Sequence, residues 1–473
     1  MENLKLVQAK GLISELYDDG KLFILNQNTG IIYSLNKSAA YIYNLCQNTN
    51  INDIRVKYIN LSDKYESKVL YENLLSDFNK CLSDLFHKGL INYTTEKDIT
   101  DISYNKNISK QNITSTYNER KIASMNFKPK MVYLEITSKC NMHCTYCYNN
   151  SDITGIDMDK HLLFKLLSDM KQQQILSITI SGGEPSLHPE FIPFLKACEN
   201  ADIHTTVVTN AWFSDNKTFV DALMNSNIQI TLDRVNSLEN DIEKGFGSYK
   251  ATENLFQVLF ENHHNNKRVM RVNIVKENMY TIDEFVLLAQ KWHVTNIEFN
   301  FLNNLGRYKN SYNQIDINQT PELTEYILKK LLSIQRQQNG SNLKIDFTGC
   351  LPPNSCSFIF NRTGVIEFIP RITPNGDVYP CQKFTDSFFK VGNITYNSLD
   401  SIFSSKTFYN LITSLNERKG SSSCSNCIWK YICWKGCPAK AFMKYGTIHH
   451  DSGECRYWKY YYKEKYEKSL TKN

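Results

Sequence analysis

The chain lacks any run of about 18 or more apolar residues, and a helix needs about 20 of them to cross a bilayer. A membrane-spanning role is therefore not expected. Its first twenty residues carry Glu2, Lys5, Lys10, Glu15, Asp18 and Asp19, so the uncharged core of a secretory signal is missing too. An excess of one charge is also absent. The 54 Lys and Arg stand against 48 Asp and Glu, a net +6 on 473 residues, which is no electrostatic footprint for nucleic acid. Ordinary apolar and charged fractions, 41% and 22%, exclude wholesale disorder. These absences lead to the expectation of a soluble cytoplasmic protein of roughly three domains, with neither a membrane nor a nucleic-acid partner.

Cysteine, by contrast, is plentiful. Of 14, eleven fall in groups at 140–147, 350–381 and 424–455, while Cys46, Cys81 and Cys198 stand alone. A chain of this length does not need disulfide staples, and clustered thiols in a cytosolic chain point to metal or redox chemistry. The lone cysteines read as ordinary buried residues.

Residues 1–94 show two β-rich runs within 21–35 around an Asn-Gln-Asn-Thr-Gly turn. A helical pattern follows over 38–46. A longer one, Leu70 to Leu85, stops at Gly89, before a short strand from Leu90 to Tyr93. Together they suggest a winged-helix-like module. Residues 95–128 are polar and read as a linker. From 129 to 340, strands expected at 131–136, 177–180, 204–209, 229–232, 269–275 and 296–301 alternate with helices such as 161–170, 252–260 and 282–291. That alternation predicts an α/β fold with a parallel sheet, and six units make an open, partial (β/α)6 barrel. A helix at 321–335 leads out of it. Residues 341–473 lack the alternation, hold the other eight clustered cysteines, and read as a Cys-rich domain organised around metal.

Cys140, Cys144 and Cys147 form C-x3-C-x2-C directly after the first barrel strand, at the strand end where such barrels carry their active sites. Three thiolates can hold three irons of a four-iron cubane and leave the fourth open for chemistry, although the spacing alone also suits zinc. Tyr146 precedes the third cysteine, and Ser181-Gly182-Gly183-Glu184-Pro185 follows the second strand. With these features, residues 130–310 resemble the radical S-adenosylmethionine (SAM) superfamily. The resemblance implies a [4Fe-4S] cluster whose open iron chelates SAM, and a 5′-deoxyadenosyl radical that removes a substrate hydrogen. It implies that Gly182, Gly183 and Glu184 lie along the SAM methionine and Tyr146 near the adenine. Thr231 would stand near the ribose, Lys244 near the SAM carboxylate and Leu302 against the adenine, with Asn210, ending Val208-Thr209-Asn210, a further shared feature. Relatives often carry Arg where Lys244 stands, and Lys offers a point charge in place of a planar fork.

Cys424, Cys427, Cys433, Cys437 and Cys455 read C-x2-C-x5-C-x3-C-x17-C, with Cys350, Cys356 and Cys381 upstream. This order resembles the SPASM extension of peptide-modifying radical SAM enzymes. It implies two auxiliary [4Fe-4S] clusters, one on Cys350, Cys356, Cys381 and Cys437, the other on Cys424, Cys427, Cys433 and Cys455. With the SAM cluster that makes three. The stretch between Cys356 and Gly376 is longer than usual in that family. Sulfatase-maturing members carry an Asp base after the cysteine equivalent to Cys381. Gln382 stands there and cannot take a proton, so formylglycine formation is not expected.

The first hundred residues hold eleven Lys and Arg against twelve Asp and Glu, which argues against DNA despite the winged-helix pattern. They resemble the leader-recognition element of ribosomal-peptide maturases, which captures peptide by strand addition. The resemblances together imply a radical SAM oxidoreductase that matures a ribosomally made precursor peptide, held through its leader and supplied with electrons by flavodoxin or ferredoxin. The expected product is a crosslink of the sactipeptide type, a Cys sulfur-to-carbon thioether as in bacteriocin biosynthesis. A carbon–carbon crosslink, a small-molecule radical SAM enzyme and a zinc-binding adaptor stand as alternatives.

Overall fold

Strand–helix alternation settles into one large sheet in a computed structural model. It describes residues 5–17, 20–59, 68–94, 126–302, 305–310, 321–338, 341–348, 358, 365–433 and 435–470. Cys350, Cys356 and nearly all of the expected linker lie outside the described residues. The chain divides into two compact units. One is Met1–Thr114 with Ser422–Trp434 and Lys459–Asn473; the other is Ser115–Ser421 with Lys435–Trp458.

In the first unit, β1 (Lys5–Gln8), β2 (Leu12–Leu16), β3 (Leu22–Asn26), β4 (Ile32–Leu35), β5 (Gln47–Asn50) and β6 (Ile91–Thr94) make two antiparallel sheets, ordered β5-β1-β6 and β2-β3-β4. The expected hairpin is β3–β4, with Leu22 opposite Leu35. Its turn is closed by the Asn26 side chain, which accepts from the amides of Asn28 and Thr29. Asn36 caps the helix Lys37–Leu45 by accepting from Ala39 N–H. The helix Lys68–His87 ends just before Gly89, whose φ of 63° only glycine adopts readily. Leu6, Leu22, Ile24, Ile42, Phe78 and Leu85 meet in one core.

The second unit opens with β7 (Asn126–Pro129). Then come β8 (Val132–Thr137), β9 (Ser177–Gly182), β10 (His204–Thr209), β11 (Asn227–Thr231), β12 (Arg268–Ile274) and β13 (Asn296–Phe301), with β9 to β13 each pairing parallel to the strand before it. Helices on the sheet bury their apolar faces, as Lys160–Gln172 does with Leu163, Leu166 and Met170 under its Asp159 cap. β8 is buried along its whole length, as parallel strands covered on both faces are. The sequence pattern stops at six strands, but a seventh, β14 (Lys344–Thr348), pairs parallel with β13. Its five residues are too short a run to stand out beside the Cys-rich region. After β15 (Val365–Phe368), which pairs with β7, the strands β16 (Arg371–Ile372), β17 (Asp377–Tyr379) and β18 (Gly392–Asn393) extend the other edge of the sheet from β8. Among the described residues no helix is long and apolar enough to cross a membrane.

Candidate active site

β8 delivers the chain at Thr137 into the loop that carries Cys140, Cys144 and Cys147. The loop is folded on its own backbone: Cys140 N–H donates to Asp152 O at 2.8 Å, and Cys147 N–H to Cys144 O at 3.3 Å. The three half-buried thiols act on one another electrostatically. Burial above all pushes Cys140 up to about 12 and raises Cys144. The protein by itself thus favours thiols, and a bound cation supplies the charge that makes them thiolate ligands. Among the described residues no three His, Cys, Asp or Glu side chains gather tightly enough for a single metal ion. Three thiols on one loop are the donor type that an iron–sulfur cluster takes.

Gly182 and Gly183 lie directly beside this loop. A Cβ on Gly182, whose φ is 132°, would stand 2.0 Å from Thr137 O, and one on Gly183 2.0 Å from Lys139 O. Instead Gly183 N–H donates to Thr137 O at 2.7 Å and Glu184 N–H to Lys139 O at 2.8 Å. The glycines therefore bring the end of β9 against the backbone of the cysteine loop. The buried Glu184 carboxylate accepts from Ser186 N–H (3.1 Å), Thr209 Oγ1 (2.9 Å) and Asn210 N–H (2.7 Å), and so ties β9 to the end of β10. Burial raises its pKa although these donors oppose the rise. Asn210 in turn donates to Asn141, inside the cysteine loop, at 2.8 Å.

A second group comes from the segment after β11. Tyr146 donates its hydroxyl to Glu243, which also accepts from the buried Arg234. Lys244 donates to Thr231 O and faces Asp233 Oδ2 at 3.7 Å. Asp233 is fully buried. Its Oδ1 accepts from Asn273 N–H at 2.9 Å, while Oδ2 makes no hydrogen bond among the described residues. Lys244 and Asp233 both act on the Cys144 thiol, so they border the cysteine loop. A buried carboxylate oxygen beside that loop is an acceptor suited to an ammonium or hydroxyl donor of a bound ligand. Lys244 can meet a ligand carboxylate only by leaving Thr231. Leu302, half-buried, directly follows β13.

Two clamps escaped the sequence reading. Arg307 donates from Nε to Cys144 O (2.7 Å) and from its backbone to Cys147 O (3.0 Å), and a Cβ on Gly306 would lie 2.1 Å from Cys147 O. On the other side, Arg371 of β16 forms a two-pronged pair with Glu135 of β8, at 2.8 and 2.9 Å. Glu135 also accepts from Tyr148 Oη (2.9 Å) and Asn149 Nδ2 (3.0 Å), the two residues after Cys147. A charge inside an otherwise apolar strand demands a partner. Glu135 was therefore a signal in the sequence, although nothing there named Arg371.

Cys381 and Cys437 lie within electrostatic reach of each other in the second unit, where burial pushes Cys381 up to about 11. Cys437 directly precedes the helix Pro438–Tyr445, and Cys455 donates to Asp451. Cys424, Cys427 and Cys433 belong to the first unit, joined by Cys427 N–H to Cys424 O at 3.4 Å and by turns through Trp429.

Residues 134–289 match the radical SAM superfamily, and residues 369–428 match the SPASM iron–sulfur cluster-binding domain. The mycofactocin maturase MftC of Mycolicibacterium smegmatis is 24% identical over 323 residues, 65% of this chain and 78% of its own. The antilisterial bacteriocin subtilosin biosynthesis protein AlbA of Bacillus subtilis is 24% identical over 292 residues, covering 60% and 61%. Among solved structures, SuiB of Streptococcus suis bound to S-adenosylmethionine superposes with a TM-score of 0.56 at 19% identity. SuiB bound to its precursor peptide SuiA gives 0.55 at 20%. Each covers 94% of this chain and 98% of SuiB. At such identities the likeness is one of fold.

Proposed function

Because this chain is a radical SAM enzyme with a SPASM extension, we propose that it matures a ribosomally made peptide, joining a Cys sulfur of that peptide to a carbon. The observation that carries the peptide reading is the β2-β3-β4 sheet, whose β4 edge is unpaired among the described residues, in the same chain as the thiol loop. An unpaired edge offers main-chain hydrogen bonds to an extended leader. SuiB, solved with its precursor peptide, and the maturase MftC support the same reading.

Cys140, Cys144 and Cys147 would hold the SAM cluster, and the eight later cysteines would hold two more. Bound there, cluster and SAM supply hydrogen-atom abstraction. The chain's own residues hold and orient them. Glu184, through Thr209 and Asn210, fixes the rim beside the loop. Asp233 presents its open oxygen, Lys244 its ammonium and Tyr146 its ring. Forming the thioether removes one hydrogen from carbon and one from the thiol. Two electrons leave the peptide, one with the abstracted hydrogen atom and one to an acceptor, which the later cysteines would carry. Gln382, without basic character, separates this chain from formylglycine formation.

The test incubates iron-loaded protein with SAM, reductant and a Cys-bearing candidate precursor peptide sought among the reading frames beside its gene, and reads the peptide by mass spectrometry. The expected product is lighter by two hydrogens and resists thiol alkylation. An unchanged peptide refutes maturation. The same loss from a peptide whose Cys is replaced by Ala refutes the thioether.

A further inference from the structure

β3 is buried on both faces. Leu22 and Ile24 point into the core made with the helices, and Phe23, between them, points the other way, as alternation along a strand requires. Within the same compact unit, Trp429 covers Phe23 at 5.4 Å between ring centroids, and Tyr462 backs Trp429 at 5.5 Å. Trp429 is fully buried, and its Nε1 donates to Tyr17 Oη at 3.0 Å. Tyr17 itself meets Phe23 edge-on at 5.4 Å. Two polar ties flank the rings: Lys430 Nζ to Gln27 Oε1 and Lys459 Nζ to Glu15 Oε1, each 2.8 Å.

Trp429 also sits at the centre of the cysteine segment. Lys430 N–H donates to Cys427 O at 3.2 Å, and Cys433 N–H to Trp429 O at 2.7 Å. The backbone that spaces Cys424, Cys427 and Cys433 is thus pinned to the second face of the N-terminal sheet by one buried ring.

We propose that Trp429 is a positioning residue, and that the sheet β2-β3-β4 is the wall against which Cys424, Cys427 and Cys433 are held for iron–sulfur ligation. The inference rests on reading these cysteines as iron ligands. It makes the N-terminal module part of a metal site as well as a peptide receptor. Peptide bound at the sheet and iron bound at the cysteines then act on each other, and that coupling is reciprocal.

The test uses full-length, anaerobically reconstituted protein. Trp429→Ala is expected to lose about four irons per chain, one cluster's worth, while the Cys140 loop keeps its cluster and still cleaves SAM. Trp429→Phe, which keeps a ring against Phe23, is expected to restore the iron. Tyr17→Phe removes the hydroxyl that accepts from Trp429 Nε1 and donates to Lys459 O, and keeps the ring against Phe23. It should keep full iron and shift the electron paramagnetic resonance signal of one reduced cluster. Full iron with an unchanged spectrum in Trp429→Ala overturns the proposal. So does loss of all iron in Trp429→Ala together with an unmoved spectrum in Tyr17→Phe. None of these readings needs peptide, so failure to bind a precursor would sink the peptide function and leave this inference standing. Conversely, a wild-type spectrum that leader peptide changes is the expected sign of the coupling.

Discussion

Two cysteine segments of this chain are held in place by different forces. The Cys140–Cys147 loop is fixed by directional polar contacts: the guanidinium of Arg307 on Cys144 O, the amides after Gly182 on Thr137 and Lys139, and the Glu135–Arg371 pair on the residues that follow Cys147. The Cys424–Cys433 segment is fixed chiefly by rings, Trp429 between Phe23 and Tyr462. Charge-assisted hydrogen bonds set position and angle, whereas apolar packing sets burial and tolerates small shifts. The difference suits their tasks. On the proposed reading, a loop that would present one open iron to a small molecule needs its backbone fixed from several sides, while a cluster ligated by four cysteines would be oriented by its own bonds.

The comparison breaks most sharply at the first loop. Replacing Cys140, Cys144 and Cys147 together by Ala should abolish 5′-deoxyadenosine formation, measured by chromatography, and lower bound iron by about four per chain. The later cysteines should keep theirs. Zinc without iron in wild-type protein prepared without oxygen would overturn the scheme for both segments.

Next in size is the polar clamp. Arg371→Ala leaves Glu135 charged and buried without its partner, a loss of about 3–5 kcal/mol in urea unfolding. Changing Arg371 to Met and Glu135 to Gln together should recover most of it, since no lone charge remains. A single variant that unfolds at the wild-type urea concentration would show that the loop does not depend on this pair.

The smallest effect sharpens the contrast by pH. Burial works against the Asp157 carboxylate, but hydrogen bonds from Lys139 and Thr137, both at 2.6 Å, hold its pKa below the usual aspartate range. A depressed acid stabilises the fold above its unfolded pKa, and that contribution is lost as the pH falls through the folded value. Asp157→Asn should therefore destabilise at neutral pH by no more than about 1 kcal/mol, because both partners are partly exposed. The gap between the two unfolding curves should narrow as the pH falls through the folded value of Asp157 and close below it. A constant gap would assign the effect to packing.

The barrel was legible because its strands repeat a strong pattern. Asn296–Phe301 was read to the residue, and the helix Ile282–Lys291 likewise. The thiol loop stood out by its spacing, which alone also suits zinc, and became specific only beside Tyr146 and Gly182-Gly183-Glu184. What stayed hidden depends on partners far apart in sequence. Arg371 is 236 residues from Glu135 and Arg307 163 from Cys144, and no local period encodes such pairs. The division of the chain in space was hidden for the same reason. Trp429 looks like one more aromatic in a Cys-rich stretch until Phe23 is found with a whole face to cover. Lys244 was noticed by position, but its bond to Thr231 O could not be read from the sequence.

The strands from β14 to β18 never close on themselves, yet the turn at Gly306 and Arg307, just past the sixth strand, reaches back to the loop after the first. The wall stays open while its rim is tied, like a bag held by its drawstring. Any widening between β8 and β13 must first pull on the carbonyls of Cys144 and Cys147. The mouth and the cysteine loop therefore cannot move independently, and whatever spreads the rim would be felt at Cys144 and Cys147.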